Sequence, residues 1–167
     1  LATRERMERT ERKASETAQL LGELRKAKYT PGVTLNDWLE KHHQPEAQNG
    51  LSAVELLKRP EITLSALAEL SPEIRQFGKP AQEQAEISVK YEGYLERQET
   101  LIRHARQMEE TLLPENLPYE EVTGLRIEAR QKLMKQRPRS LAAASRIPGV
   151  SPADVAVLMV FLEKHKA

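Results

Sequence analysis

The chain has 167 residues, 31% of them charged and only 4% aromatic, with no cysteine. That composition excludes a disulfide framework, a thiolate metal site and a cysteine nucleophile, and no apolar run approaches the ~20 residues needed to cross a bilayer. With 26 basic and 25 acidic side chains the net charge is +1, so information lies in the distribution of charge rather than in its balance.

Residues 71–125 hold 11 acidic and 6 basic groups, whereas residues 126–146 hold 7 basic and 1 acidic, and residues 1–30 hold 8 basic and 5 acidic. The length suits one domain or two small ones and is enough to bury a core. Thr3 to Lys13 is dense in Arg and Glu, unlike a signal peptide, so a cytoplasmic setting is expected. The first residue is Leu1 rather than Met, and a processed chain or a piece of a longer protein is expected.

Glu, Lys, Arg, Gln, Ala and Leu dominate and β-branched residues seldom alternate, which predicts helices and argues against strands. Thr3 to Lys28 reads as one polar helix with Met7, Ala14, Ala18 and Leu21 on its apolar side, stopped by Thr30-Pro31-Gly32. A short helix carrying Trp38 is expected to follow Thr34. Ser52 and Glu55 have capping-box spacing before a third helix, with Leu51 placed to staple onto Leu56, and Thr63 repeats the cap. Pro60, Pro72 and Pro80 break the chain between these pieces.

From Ala81 to about Leu113 there is no proline, which allows a helix of about 45 Å at 1.5 Å per residue. Ile87, Tyr91, Tyr94, Gln98, Leu101, Ala105, Met108 and Leu112 step by fours and threes, a coiled-coil-like seam beside Leu95 and Ile102. Such a seam must bury against other helices of the chain or against a partner. Shorter helices follow at Tyr119 to Val122, Leu125 to Gln136, Leu141 to Arg146 and Pro152 to about Lys164. The expected fold is all-α, with an N-terminal helical lobe (1–80), a long central helix (81–113) and a small C-terminal helical-hairpin bundle (114–167).

No catalytic constellation emerges. The seven glycines are scattered, so there is neither a phosphate-binding loop nor a dinucleotide fingerprint, and no serine sits in a nucleophile elbow. Glu40 and His43 form a single Glu-x-x-His step where a di-iron bundle needs two. No catalytic, cofactor-binding or metal-binding residue is therefore assigned.

Binding features are visible instead. Arg126, Arg130, Lys132, Lys135, Arg137, Arg139 and Arg146 crowd a stretch whose one counter-charge is Glu128. Such groups can neutralise phosphates and release counterions, and they equally fit a solvated face. Leu141 to Leu158 reads as helix, tight turn at Pro148-Gly149-Val150-Ser151, helix. Gly149 supplies turn freedom, Ser151 can cap and Pro152 suits the first helical position. This is similar to a helix-hairpin-helix module, whose turn amides face phosphate, although Ser151 stands where such a hairpin usually has a second glycine. The alternative is a hairpin whose Val155, Leu158, Met159 and Leu162 fill a core. In the long helix, Lys90-Tyr91-Glu92-Gly93-Tyr94-Leu95-Glu96-Arg97-Gln98 places a glycine mid-helix at a cost of ~1 kcal/mol against Ala, which suggests a close backbone approach.

Together Lys90 to Gln98, Ala144-Ser-Arg-Ile-Pro-Gly-Val-Ser-Pro-Ala-Asp154, Leu51 to Pro60 and Leu112-Leu-Pro114 resemble the C-terminal region of the MnmG family, also called GidA. The resemblance runs over almost all 167 residues. It implies a full-length homodimeric, FAD-dependent enzyme that uses NADH and methylenetetrahydrofolate and acts with the GTPase MnmE. That enzyme adds a carboxymethylaminomethyl or aminomethyl group to the wobble uridine of tRNA.

By the same resemblance this chain holds none of the flavin machinery and is the part that engages tRNA and MnmE. The expectations to test are tRNA phosphates on the seven basic residues from Arg126 to Arg146, and MnmE docking on the hairpin through Ile147, Gly149, Val150, Val155, Leu158 and Leu162. The family motif Lys90, Tyr91, Gly93, Tyr94, Arg97 and Gln98 is expected where this region meets the catalytic domain. The competing reading is a helical scaffold or oligomerisation module that pairs through the long seam and touches no nucleic acid.

Overall fold

The computed structural model describes residues 2–165. In chain order the elements are α1 (Ala2–Lys26), β1 (Lys28–Tyr29), α2 (Val33–Lys41), β2 (Leu51–Ser52), α3 (Ala53–Leu57), α4 (Leu64–Leu67), a 3-10 turn at Pro72–Gln76, and α5 (Lys79–Glu110). A second 3-10 turn at Tyr119–Glu121 precedes α6 (Ile127–Gln136), α7 (Leu141–Ser145) and α8 (Pro152–Lys164). The fold is mostly helical, with one long helix and a C-terminal helical bundle, in line with the sequence. Contacts divide it into two compact units, Leu1–Arg97 and Gln98–Ala167, with the division inside α5.

In the first unit α1 buries Thr17, Leu20 and Leu24. The apolar side read from the sequence is therefore corrected: Met7, Ala14 and Ala18 are exposed and Leu21 is half-buried. The buried stripe occupies roughly the last two and a half turns of α1, where α2, α3 and α5 supply the core it packs on. Leu20 and Leu24 meet Leu35, Trp38 and Leu39 of α2, Leu56 and Leu57 of α3, and Ala85 and Val89 of α5 in one core. The Trp38 indole Nε1 donates to the Ala66 carbonyl at 3.1 Å, satisfying the buried indole.

Two further expectations change here. A small antiparallel pair, Lys28 opposite Ser52 and Tyr29 opposite Leu51, appears where no strand was expected; it pairs backbone that the breaks at Pro31 and Gly50 leave outside helices. Gly32, not Thr34, caps α2, and no side chain caps it. Ser52 and Glu55 form the full capping box, and Thr63 accepts from the Ala66 amide.

The second unit has its own core, built from Leu113, Leu117, Tyr119, Val122, Leu125, Ala129 and Leu133 with Leu141, Ala144, Ile147, Val150, Val155 and Leu158. Backbone bonds from Leu113 N–H to the Arg139 carbonyl (2.8 Å) and from Leu141 N–H to the Thr111 carbonyl (3.0 Å) tie the segment after α5 to the start of α7.

The seam read along the long helix is not buried within the described residues. Within the first unit α5 buries Ala81, Ala85, Val89 and Gly93, which recur every four residues, while Ile87, Tyr91, Tyr94 and Leu95 are exposed. Within the second, Leu101, Ile102 and Leu112 are exposed and Met108 packs partly on the core. Small side chains allow the closest backbone approach, so they hold the inner face while the larger residues lie outside.

Candidate nucleic-acid interface

Helix α6 begins after Arg126 and ends at Arg137, which takes the left-handed conformation at φ 45° and donates its amide to the Leu133 carbonyl. This is a helix C-cap position at which glycine or asparagine is commoner, and side-chain bonds hold the arginine there. Its Nη1 donates to the carbonyls of Glu115 (3.1 Å) and Leu117 (2.9 Å), and its guanidinium lies 5.2 Å from the centre of the Tyr119 ring.

Arg126 is equally committed. Nε and Nη2 donate to Asp154 Oδ2 at 3.2 and 2.9 Å, and Nη2 also reaches the Gly149 carbonyl at 3.0 Å. Asp154 is buried and forms a capping box with Ser151 at the start of α8. Burial alone would raise its pKa; the Arg126 and Ser151 donors outweigh that and hold the carboxyl well below the ordinary carboxylate range. Arg130 Nη2 donates to the Val122 carbonyl at 3.1 Å, and Arg146 pairs with Glu109.

Four of the seven basic residues thus hold the bundle together. The other three, Lys132, Lys135 and Arg139, are exposed, and among the described residues no hydrogen bond or ion pair engages their side chains. Lys132 and Lys135 lie three apart on α6, and Arg139 follows two residues beyond its C-cap.

The hairpin is corrected in one respect. Two of its turn amides are taken within the chain: the Ser151 amide donates to Asp154 (2.9 Å) and the Val150 amide to the Ile147 carbonyl (3.1 Å). Gly149 has φ +98°, as the turn requires, and Glu128 carboxyl atoms lie 3.0–3.3 Å from where its Cβ would stand. A carboxylate therefore covers the turn. Sequence reading missed this because Glu128 is 21 residues away along the chain.

Of the residues expected to dock a partner, Ile147, Val150, Val155 and Leu158 are buried in the core of the second unit and Leu162 packs partly against it. What α8 offers to solvent lies on another side. A cleft of about 510 Å³ is lined by Glu121, Thr123, Ala156, Val157, Val160, Phe161, Lys164 and His165, with Val160 half-exposed at 50%.

The family motif divides in two. Lys90 Nζ donates to the carbonyls of Arg59 and Ile62, and Arg97 Nη1 donates to that of Lys58 at 3.0 Å. A Cβ on Gly93 would stand 3.0 Å from the Lys58 carbonyl oxygen and 3.1 Å from the Lys58 Cβ. Lys90, Gly93 and Arg97 therefore clamp the turn after α3, and desolvation lowers the Lys90 pKa. Tyr91 and Tyr94 are exposed, and Gln98 is half-buried.

Among the described residues, no three His, Asp or Glu side chains are placed to hold a metal ion. Gly93 and Gly149 are crowded by this chain's own Lys58 and Glu128 rather than around an open concavity. These residues do not fit the phosphates of a flavin or nicotinamide.

Fold and site define a mostly helical region of two units with a cationic stretch on the second. Comparison with known families matches residues 4–99 to the tRNA modifying enzyme MnmG/GidA C-terminal helical domain and residues 101–167 to the MnmG/GidA C-terminal helical bundle. The chain belongs to the MnmG/GidA family. The border between the two matched regions lies within a few residues of the division between the compact units.

Among curated relatives named tRNA uridine 5-carboxymethylaminomethyl modification enzyme MnmG, that of Alkaliphilus metalliredigens is 40% identical over 167 residues, covering 99% of this chain and 26% of the relative. That of Syntrophobacter fumaroxidans is 43% identical over 145 residues, covering 87% and 23%. A solved structure of Aquifex aeolicus GidA shares 25% identity, covers 95% of this chain and 24% of its own, and superposes with a TM-score of 0.39. The chain spans about a quarter of the length of the curated relatives it matches.

Proposed function

We propose that this chain is a non-catalytic tRNA- and partner-binding region of an enzyme that modifies the wobble uridine of tRNA. The observation that carries the reading is the set Lys132, Lys135 and Arg139, three exposed cations without a partner among the described residues in a chain of the MnmG/GidA family. Arg126, Arg130, Arg137 and Arg146 act chiefly by fixing the surface from which those three project. In this reading FAD, NADH and methylenetetrahydrofolate bind parts of the enzyme outside this chain, which forms part of a homodimer.

MnmE docks on the exposed side of the hairpin. Ala156, Val157, Val160 and Phe161 give the α8 cleft an apolar floor, and Lys164 and Glu121 give it charged edges. Val160→Asp weakens MnmE binding with the fold intact, whereas Leu158→Asp, at a fully buried position, unfolds the bundle. Loss of MnmE binding is read by pull-down or calorimetry, and folding by circular dichroism. Equal MnmE affinity in the Val160→Asp protein would remove the cleft as the docking site.

A second reading is favoured by the exposed residues of α5, Ile87, Tyr91, Tyr94 and Leu101. On that reading the chain is a helical oligomerisation module without RNA contact. The two readings part in one titration: only the first gives salt-dependent tRNA binding that falls when Lys132, Lys135 and Arg139 are replaced by Gln.

A further inference from the structure

In the first unit a cleft of about 350 Å³ opens between α1 and the start of α5, lined by Arg9, Thr10, Arg12, Lys13, Glu16, Gly78, Pro80 and Ala81. We propose that Arg9, Arg12 and Lys13, gathered round this cleft, form a second cationic contact for the sugar-phosphate backbone of an RNA. The proposal rests on the tRNA-binding reading above and extends it to a surface on the other compact unit.

Spacing and partnering carry the argument. Arg9, Arg12 and Lys13 stand three and four apart, so they share one face of α1 and span about 6 Å along its axis. All three are exposed, and among the described residues no hydrogen bond or ion pair engages their side chains, although Glu5, Glu8 and Glu11 lie on the same helix. Glu8 pairs with Arg4 instead, at 3.7 Å.

The cleft contains one carboxylate, Glu16, whose Oε2 accepts the Gly78 amide at 3.0 Å. That bond fixes the wall opposite the cations. A Cβ on residue 78 would stand 2.9 Å from the same oxygen, the movable end of the Glu16 side chain.

Three cations against one engaged carboxylate make the concavity electropositive. Guanidinium forks suit phosphate oxygens, which they can meet two bonds at a time. Pro80, Ala81 and the aliphatic stems of the basic side chains supply the apolar part of the lining, and the charged ends rim it. Three exposed cations within two turns of one helix match the spacing of charge along a phosphate backbone.

The test uses the intact protein and labelled tRNA, with affinity measured at 50 and 200 mM salt. Each phosphate contact contributes about 0.7 to 0.9 to the slope of log affinity against log salt, so replacing Arg9, Arg12 and Lys13 together by Gln should lower that slope by about 2 to 3. Between the two salt concentrations the parent should then lose about 20- to 40-fold more affinity than the variant. Gln is compatible with an exposed helix, and circular dichroism confirms that the fold is kept.

A parent that binds tRNA and a variant with unchanged affinity and slope would overturn the inference and leave the tRNA-binding reading standing. A parent that does not bind tRNA would overturn that reading and this inference with it. Polyglutamate serves as a second probe. If the substitutions abolish its binding while tRNA binding is untouched, the surface takes an acidic protein and the proposal is wrong.

Discussion

Asp154 shows how much structure one side chain can organise. It caps α8 through Ser151, receives two side-chain bonds from Arg126, and is buried. Asp154→Ala removes a cap and leaves the Arg126 donors without their acceptor. A loss of about 2–4 kcal/mol is expected by denaturant unfolding. Because its folded pKa is depressed, its contribution is complete above the unfolded-state value of about 3.9 and fades as pH falls below that. The parent should therefore lose stability on acidification below about pH 4 more steeply than the Asp154→Ala protein.

Gly93 makes the converse argument. Alanine at an exposed helix position would gain about 1 kcal/mol over glycine. Here the neighbour 3.0 Å away is a backbone carbonyl in a turn that Lys90 and Arg97 also hold. It cannot yield cheaply, so Gly93→Ala should lower stability by about 1–2 kcal/mol in thermal or denaturant unfolding. A rise in stability would mean that the turn moves freely.

At the scale of elements, local signals were the legible ones. The capping pattern at Ser52 and Glu55, the cap at Ser151 and the proline-free run of α5 are written within a few residues, and the helices follow them. The buried face of α5 was not legible. Its large apolar residues form the stronger period, but burial fell to Ala81, Ala85, Val89 and Gly93, whose small size matters only once the α3 turn lies against them. The roles of Arg126 and Arg137 were hidden for a related reason. A cation facing Asp154 from 28 residues away, or serving as its own helix cap, has the same letter as one facing solvent. The exposed face of α5 gives a direct check: Tyr91→Ser with Tyr94→Ser should change unfolding free energy by less than about 1 kcal/mol, because neither side chain fills the core. A loss of several kcal/mol would place them in a packed interface.

At the scale of the whole molecule, the family assignment and the distribution of charge together give the account its form. Two compact units correspond to the two matched family regions, and each carries exposed cations without a partner among the described residues. The net charge of +1 conceals this, because acidic residues concentrate elsewhere in the chain. Salt-dependent affinity follows from local clusters rather than from the total. The decisive measurement is the affinity of the intact protein for labelled tRNA at 50 and 200 mM salt, with and without Lys132, Lys135 and Arg139 replaced by Gln. The account predicts salt-sensitive binding by the parent and a slope lower by about 2 to 3 in the variant. Equal affinity and equal slope in the two proteins, both folded, would contradict it.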